Sequence, residues 1–276
     1  MRLDPDDQRA DMTVKYTPYV TRRQRREYRE KKTRAIIITV IALVILIIVA
    51  VAMVGVLRKK FRLLSQYSLN GSMSIADENP ESIPDYNGKD FVILNKGIPS
   101  FNAWDLKNIK GEHYSDLDEL DRCGVAYAML DRSMMPTEKR GEIGQIKPSG
   151  WNQAKYEGIV DSEPPYLYNR CHLIAYALTG QNANELNLIT GTRYMNATSM
   201  LPFEEQVMSS LDDSDNHVLY RVTPYFVGNE LVARGVEMEA YSVEDKGDGL
   251  CFHVFIYNIQ PGIDIDYKTG ESKVSK

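Results

Sequence analysis

Cysteine is scarce in this 276-residue chain, at three residues. That is too few for a disulfide scaffold and too few to cage a zinc ion with thiolates alone. Histidine is nearly as rare, at four, so each one can be weighed individually. Twelve prolines and eighteen glycines exclude a collagenous or low-complexity chain, and no internal repeat is present. Hydrophobic residues at 43% and charged residues at 26% are ordinary globular values, which excludes wholesale disorder and a polytopic membrane protein. The net charge of −5 conceals a split. Residues 1–57 hold 11 Lys and Arg against 6 Asp and Glu, and residues 58–276 hold 22 against 32.

Charge is missing altogether from Ala35 to Leu57, 23 residues in which only Thr39 is polar. As a helix this run would be about 34 Å long, enough to cross the hydrocarbon core of a bilayer. A cleaved signal peptide would be shorter and end in small residues, whereas 34 residues precede this run and Arg58-Lys59-Lys60 follows it. Eight Lys and Arg crowd Arg22–Arg34, against four in Arg58–Arg62. The heavier cluster predicts a cytoplasmic N-terminus, one span over 35–57 and an extracellular C-terminal part. The basic run also has the composition to grip anionic lipid or nucleic acid.

Residues 58–87 read as an extracytoplasmic linker, rich in Ser, Asn, Asp, Glu, Pro and Gly, and residues 88–276 as one domain. Strands are predicted at Phe91–Leu94 and Gly124–Asp131, followed by three runs at hairpin spacing, His217–Val227, Leu231–Ser242 and Leu250–Ile259. The helical signal is confined to the middle, notably Thr192–Ser210. The fold class is therefore α+β, with an antiparallel sheet as its core.

His217 and His253 fall in strand patterns and His113 in a polar loop. His172 differs, because it follows Asn169-Arg170-Cys171 and precedes an apolar run and the polar stretch Gly180–Asn187. The predicted helix carries an anomaly: at 100° per residue Met200, Phe203 and Val207 form one apolar stripe, and Asn196 projects to its centre. A buried amide needs hydrogen bonds or a metal, and its oxygen suits a hard cation such as Mg²⁺. Glu204 lies about 80° and 12 Å further along and leans back toward Asn196, while Glu205 points away. Pro202 between them is expected to kink or restart the helix.

Tyr168-Asn-Arg-Cys-His-Leu-Ile174, with Asn184-Glu-Leu-Asn-Leu-Ile-Thr-Gly-Thr-Arg-Tyr-Met-Asn196, resembles the DNA/RNA non-specific endonucleases of the ββα-metal superfamily. The likeness is nearest to membrane-anchored DNA-entry nucleases and secreted DNases of Gram-positive bacteria. Lys147-Pro-Ser-Gly-Trp151, Tyr220-Arg-Val-Thr-Pro224, Asn258-Ile-Gln-Pro-Gly262 and Asp266-Tyr-Lys-Thr-Gly270 extend it over roughly 88–272. The resemblance implies a ββα-metal motif, hydrolysis of DNA and also RNA without sequence preference, and a hydrated Mg²⁺ for which Mn²⁺ can substitute. It implies that His172 is the general base, Asn196 the direct metal ligand, and Arg170 the holder of a phosphate. Glu204 would orient water around the cation, Arg193 would contact phosphate, and Asn187 and Asn169 would support the site. Two residues depart from the family's Asp-Arg-Gly-His: Asn169 stands for the acid and Cys171 for the glycine.

Two other readings compete. The departures at Asn169 and Cys171 fit an impaired nuclease-like surface module that only binds nucleic acid. A Cys171/His172 thiol enzyme is disfavoured, because adjacent residues on an extended chain face opposite ways. Cys123 and Cys251 lie in strand patterns and could pair in an oxidising exterior. The net −10 of residues 58–276 gives no global attraction for a polyanion, so contact with nucleic acid would be local and directed at its backbone.

Overall fold

The computed structural model describes residues 83–212 and 215–276. The Ala35–Leu57 run, its basic flanks and most of the expected linker lie outside these residues. Among the described residues no helix is long and apolar enough to cross a membrane.

Ten strands and three α-helices make up the described chain. A six-stranded sheet is built from β1 (Phe91–Ile93), β2 (Gly111–Tyr114), β3 (Ala126–Leu130), β6 (Val218–Tyr225), β7 (Gly235–Ser242) and β8 (Cys251–Tyr257), in the order β1-β8-β7-β6-β3-β2. Every pairing is antiparallel. All five strand predictions hold, each trimmed at its ends, because alternation with turn residues between runs is a local signal. His113, expected in a loop, instead sits in β2 and stacks on Tyr127 at 5.0 Å. A four-residue edge strand is too short to show alternation.

Successive side chains on these strands face opposite sides of the sheet. Ala128, Tyr220, Met238 and Val254 point to one face and join the main core. That core includes Cys171, Ile189, Met195, Met200 and Val207, which come from the segments laid over this face. Leu219 and Tyr241 point to the other, where Phe101 and the helix α1 (Ala103–Asn108) close over them. Asn102 caps α1 in a reciprocal capping box with Asp105. Because both faces are covered, all eight residues of β7 are buried. Each Val, Leu or Ile so buried contributes about 1.5–3 kcal/mol.

The layer on the first face carries the ββα unit. β4 (Tyr168–His172) pairs with β5 (Leu188–Thr192), placing His172 opposite Leu188 and Arg170 opposite Thr190. The short helix α2 (Tyr176–Thr179) lies between them in sequence. A π-helical turn, Met195–Met200, then leads into α3, Leu201–Asp212. Pro202 explains the wide turn: it lacks an N–H to bond the carbonyl of Thr198, and its ring would clash there. As the second residue of α3 it needs no intrahelical donor. The apolar stripe is as expected, with Met200 and Val207 fully buried and Phe203 packed against the core. Asn196 is not at its centre: the π turn rotates it off the stripe, half-buried and facing a cleft.

The Asn258–Gly262 motif, outside the ββα unit, ties it down. The Asn258 side chain accepts from Thr192 N at 2.8 Å and donates to the carbonyls of Thr190 and Ala233. Gln260 accepts from Tyr194 N at 3.2 Å. The end of the expected linker is anchored too, since Tyr257 donates to the Pro84 carbonyl and Tyr86 packs edge-on against the Tyr257 ring. All three cysteines are free. Cys123 joins the first-face core and Cys251 packs on the second-face cluster, so the sheet separates the pair that strand patterns alone allowed.

Candidate active site

His172 ends β4 with only 5% of its surface exposed. Its Nε2 lies 2.9 Å from the Asn182 carbonyl and its Nδ1 lies 3.3 Å from an Arg140 guanidinium nitrogen. A carbonyl only accepts and a guanidinium only donates. The ring is therefore neutral, with hydrogen on Nε2 and the lone pair on Nδ1. Burial, helped by the Arg140 charge, pushes its pKa down to about 4 despite the carbonyl contacts. The strand beyond the ring is clamped by Asn187, which is fully buried: its Oδ1 accepts from Ile174 N at 2.8 Å and its Nδ2 donates to Ile174 O at 2.9 Å.

Arg140 lines the same cleft as Asn169, Arg170, Arg193 and Asn196, a space of about 640 Å³. Neither the Asn196 amide nor the Glu204 carboxylate makes a side-chain hydrogen bond or ion pair with the described residues. Burial pushes Glu204 up to about 7, against the pull of Arg140 and with a push from Glu205. Arg140 thus faces both His172 and Glu204. It was not foreseen from the sequence, where Lys139-Arg140 is an unremarkable pair in a polar loop.

The two departures from the family motif sit differently. Asn169 lines the cleft without a hydrogen bond to the His172 ring, so it gives the ring no direct support. Cys171 is fully buried on the opposite side of β4, its Sγ 3.5 Å from Met200 Sδ. Burial raises its pKa well above the usual thiol value, reinforced by the Glu204 charge. Gly191 makes room for it, since a Cβ there would come within 2.6 Å of Cys171 Cβ. A buried, protonated thiol turned away from the imidazole is not a nucleophile paired with a base.

Arg170 is held by main chain. Its Nε donates to the Ile146 carbonyl, its Nη2 donates to Gly144 O at 2.6 Å, and the guanidinium stacks on Trp151 at 4.2 Å. It pins the 144–151 loop to the hairpin, which is how the Lys147–Trp151 motif comes to flank the cleft. Arg193 is fastened through its own N–H to Leu167 O, leaving its side chain along the cleft wall.

A sequence profile of the DNA/RNA non-specific endonuclease family matches residues 102–244, just over half the chain. The chain belongs to that family. A deoxyribonuclease of Streptococcus dysgalactiae subsp. equisimilis is 28% identical over 208 aligned residues, taking in 59% of this chain. The chain spans 62% of that relative's length. NucA from Streptococcus agalactiae, solved with a magnesium ion bound, is 28% identical, with a TM-score of 0.58 over 67% of this chain and 87% of NucA. The Sda1 nuclease, solved with a bound zinc ion, gives a TM-score of 0.51 at 28% identity, over 60% of this chain and 82% of Sda1. These matches support the antiparallel core and the family assignment.

One other group of metal-ligating side chains, Glu237, Glu239 and His253, is buried on the far face of the sheet. Its donor atoms are already engaged. His253 Nε2 lies 2.5 Å from Glu237 Oε1 and its Nδ1 lies 3.0 Å from Ile98 O. Glu239 accepts from Arg221 Nε at 2.6 Å and from the Ser100 N–H and hydroxyl. This is a closed ion network, distinct from the cleft that Asn196 lines.

Proposed function

We propose that the protein is a sequence-non-specific endonuclease that hydrolyses phosphodiester bonds in DNA and RNA with Mg²⁺, with Mn²⁺ as a substitute. The observation that carries this reading is the neutral His172, whose Nδ1 lone pair is turned toward Arg140 at the cleft lined by Asn196. The residues present fit a divalent cation: an amide oxygen and a sunken carboxylate, both unpaired, offer hard oxygen donors. Asn196 would hold the ion directly and Glu204 through its hydration shell. When bound, the cation withdraws charge from the scissile phosphate and the departing oxygen.

His172 does the proton work. Its Nε2–H, held by Asn182 O, keeps Nδ1 unprotonated at neutral pH, and Nδ1 accepts the proton of the attacking water. Arg140 guards that nitrogen. A substrate phosphate competes for the guanidinium with a full charge, draws it off Nδ1 and is held by it. Arg140 thereby takes the phosphate role that the resemblance implied for Arg170, while Arg193 contacts phosphate further along the cleft. Backbone-directed charge contacts carry no base code, which suits cleavage without sequence preference.

The same reading places the enzyme at the cell membrane, with the N-terminus cytoplasmic, one span over 35–57 and the nuclease outside. It rests on the uncharged run and its asymmetric basic flanks. The test is the full chain incubated with plasmid and with RNA, in Mg²⁺ or EDTA. Cleavage should require the cation, vanish in His172→Ala and survive in Cys171→Ser. EDTA-insensitive cleavage that dies with Cys171→Ser overturns the mechanism. DNA binding without cleavage by the wild-type chain would favour the impaired surface module. Protease added to intact protoplasts should remove the C-terminal domain, and its full protection overturns the topology.

A further inference from the structure

β2 forms the edge of the six-stranded sheet opposite β1. Its Glu112 and Tyr114 pair with Ala128 and Ala126 of β3, so both side chains rise on the face covered by the ββα unit. There Glu112 divides its carboxylate between two donors. The Tyr114 hydroxyl donates to Oε2 at 2.7 Å, and the Gln181 side-chain amide donates to Oε1 at 2.7 Å. Gln181 stands just past α2, where Gly180 turns the chain at a φ of 70° and its N–H bonds the Tyr176 carbonyl. The next residue, Asn182, supplies the carbonyl that takes the His172 Nε2–H at 2.9 Å. The main-chain N–H groups of Gln181, Asn182 and Ala183 donate no hydrogen bond to the described residues. Apart from the imidazole itself, the Gln181 amide is therefore the first hydrogen bond that fixes this turn after α2. Its acceptor is a carboxylate in a part-buried place, which makes the bond charge-assisted and stronger than one between neutral groups.

We propose that Glu112 and Gln181 are positioning residues for the general base: their hydrogen bond pins the turn at 180–183 to the sheet edge and so holds the Asn182 carbonyl on the His172 ring. The inference rests on the nuclease reading and deepens it. Two groups bond the imidazole among the described residues, Arg140 at Nδ1 and Asn182 at Nε2. A substrate phosphate that draws Arg140 away leaves the Asn182 carbonyl alone to aim the ring. The direction of Nδ1 toward the attacking water then depends on where that carbonyl stands, and a misplacement of about 1 Å can cost about a hundredfold in rate. Glu112 and Gln181 touch neither substrate nor cation and act only through Asn182.

The test is Gln181→Glu in the full chain, alone and combined with Glu112→Gln, with Gln181→Ala beside them. Gln181→Glu sets two carboxylates against each other. The double variant moves the amide to β2 and the carboxylate to the turn, which restores one donor facing one acceptor and leaves an oxygen for the Tyr114 hydroxyl. At neutral pH, kcat on plasmid should fall about tenfold in both single variants, the loss expected for one hydrogen bond to a charged group, with KM unchanged. The double variant should recover most of that loss. The His172 ring N–H signal, read by nitrogen-edited proton NMR and assigned by its disappearance in His172→Gln, should broaden in both single variants and sharpen again in the double. Gln181→Ala adds no charge and carries the test if Gln181→Glu does not fold. Unchanged kcat in Gln181→Ala overturns the proposal, as does a fall that the double variant fails to recover. A raised KM with kcat unchanged overturns it too, since Gln181 would then contact substrate. So does a lower melting temperature with an unmoved ring signal, because the bond would then serve stability alone. A folded wild-type chain that cleaves neither DNA nor RNA overturns the nuclease reading itself, and the ring signal in the variants still decides whether the anchor holds the imidazole.

Discussion

His172 and His253 are both buried, on opposite sides of one sheet, and their surroundings drive them in opposite directions. His172 meets a guanidinium at Nδ1 and a carbonyl at Nε2, so burial and charge agree and the ring is held neutral. Burial also works against charge on His253, but the hydrogen bond to Glu237 and the charges of Glu239 and Glu237 outweigh it and raise its pKa above the usual value. Burial alone therefore decides nothing about a histidine. The sign of the nearest charge does, and here it separates a base from a structural cation.

The largest contrast comes from removing each ring. His172→Ala should abolish phosphodiester cleavage, a loss of at least about 10²–10⁴-fold for a general base, with the fold intact. His253→Ala should leave the buried Glu237 carboxylate without its cation, while Glu239 keeps Arg221, and destabilise the protein by about 3–5 kcal/mol, the cost of breaking a buried pair from one side. Cleavage per folded molecule should persist. Plasmid nicking and urea denaturation read the two effects separately, and a crossed result would erase the distinction between the two sites.

The pH dependence of stability sharpens the same contrast. His172 has a folded pKa near 4, below the unfolded value near 6.5, so the native state loses stability as pH falls from about 6.5 to about 4. That loss approaches about 3 kcal/mol. His253 has a raised folded pKa, so its contribution is complete below about pH 6.5 and lost as pH rises through the folded value. His172→Gln should flatten the acid side of the stability curve and His253→Gln the alkaline side, read from urea midpoints at acid, neutral and alkaline pH.

Arg140→Ala gives the smallest effect and probes what keeps His172 neutral. Losing the cation should raise the His172 pKa by about one unit or less, because burial remains the larger cause. The acid limb of kcat/KM should move up in pH, and KM for DNA should rise about tenfold as a charged phosphate contact is lost. An unmoved acid limb would show that burial alone holds the ring neutral.

Much of the fold was legible locally. The strand runs, the helical stretch after Thr192 and the irregular turn before Pro202 follow from alternation, turn residues and a missing N–H, all properties of neighbours in sequence. Part of the site was legible in the same way, since His172, Asn187 and Asn196 sit in one contiguous stretch. Asn187 clamps Ile174 from thirteen residues away, within that stretch. Asn196 was placed on the wrong surface, because a uniform 100° step does not describe a π turn. The disulfide that strand patterns allowed failed for a related reason: a pattern shows that a residue alternates, not which face of the sheet it takes.

The sequence by itself determined the alternating strands, the polar and apolar faces of α3, and the uncharged run at 35–57, because each depends on spacing along the chain. Only the tertiary structure decided which charges meet. Arg140 reaches His172 across 32 residues, and Arg221 and Glu239 meet between adjacent strands. A histidine's proton is set by the groups within a few ångströms of its ring, and those groups are brought there by folding, not by their order in the chain.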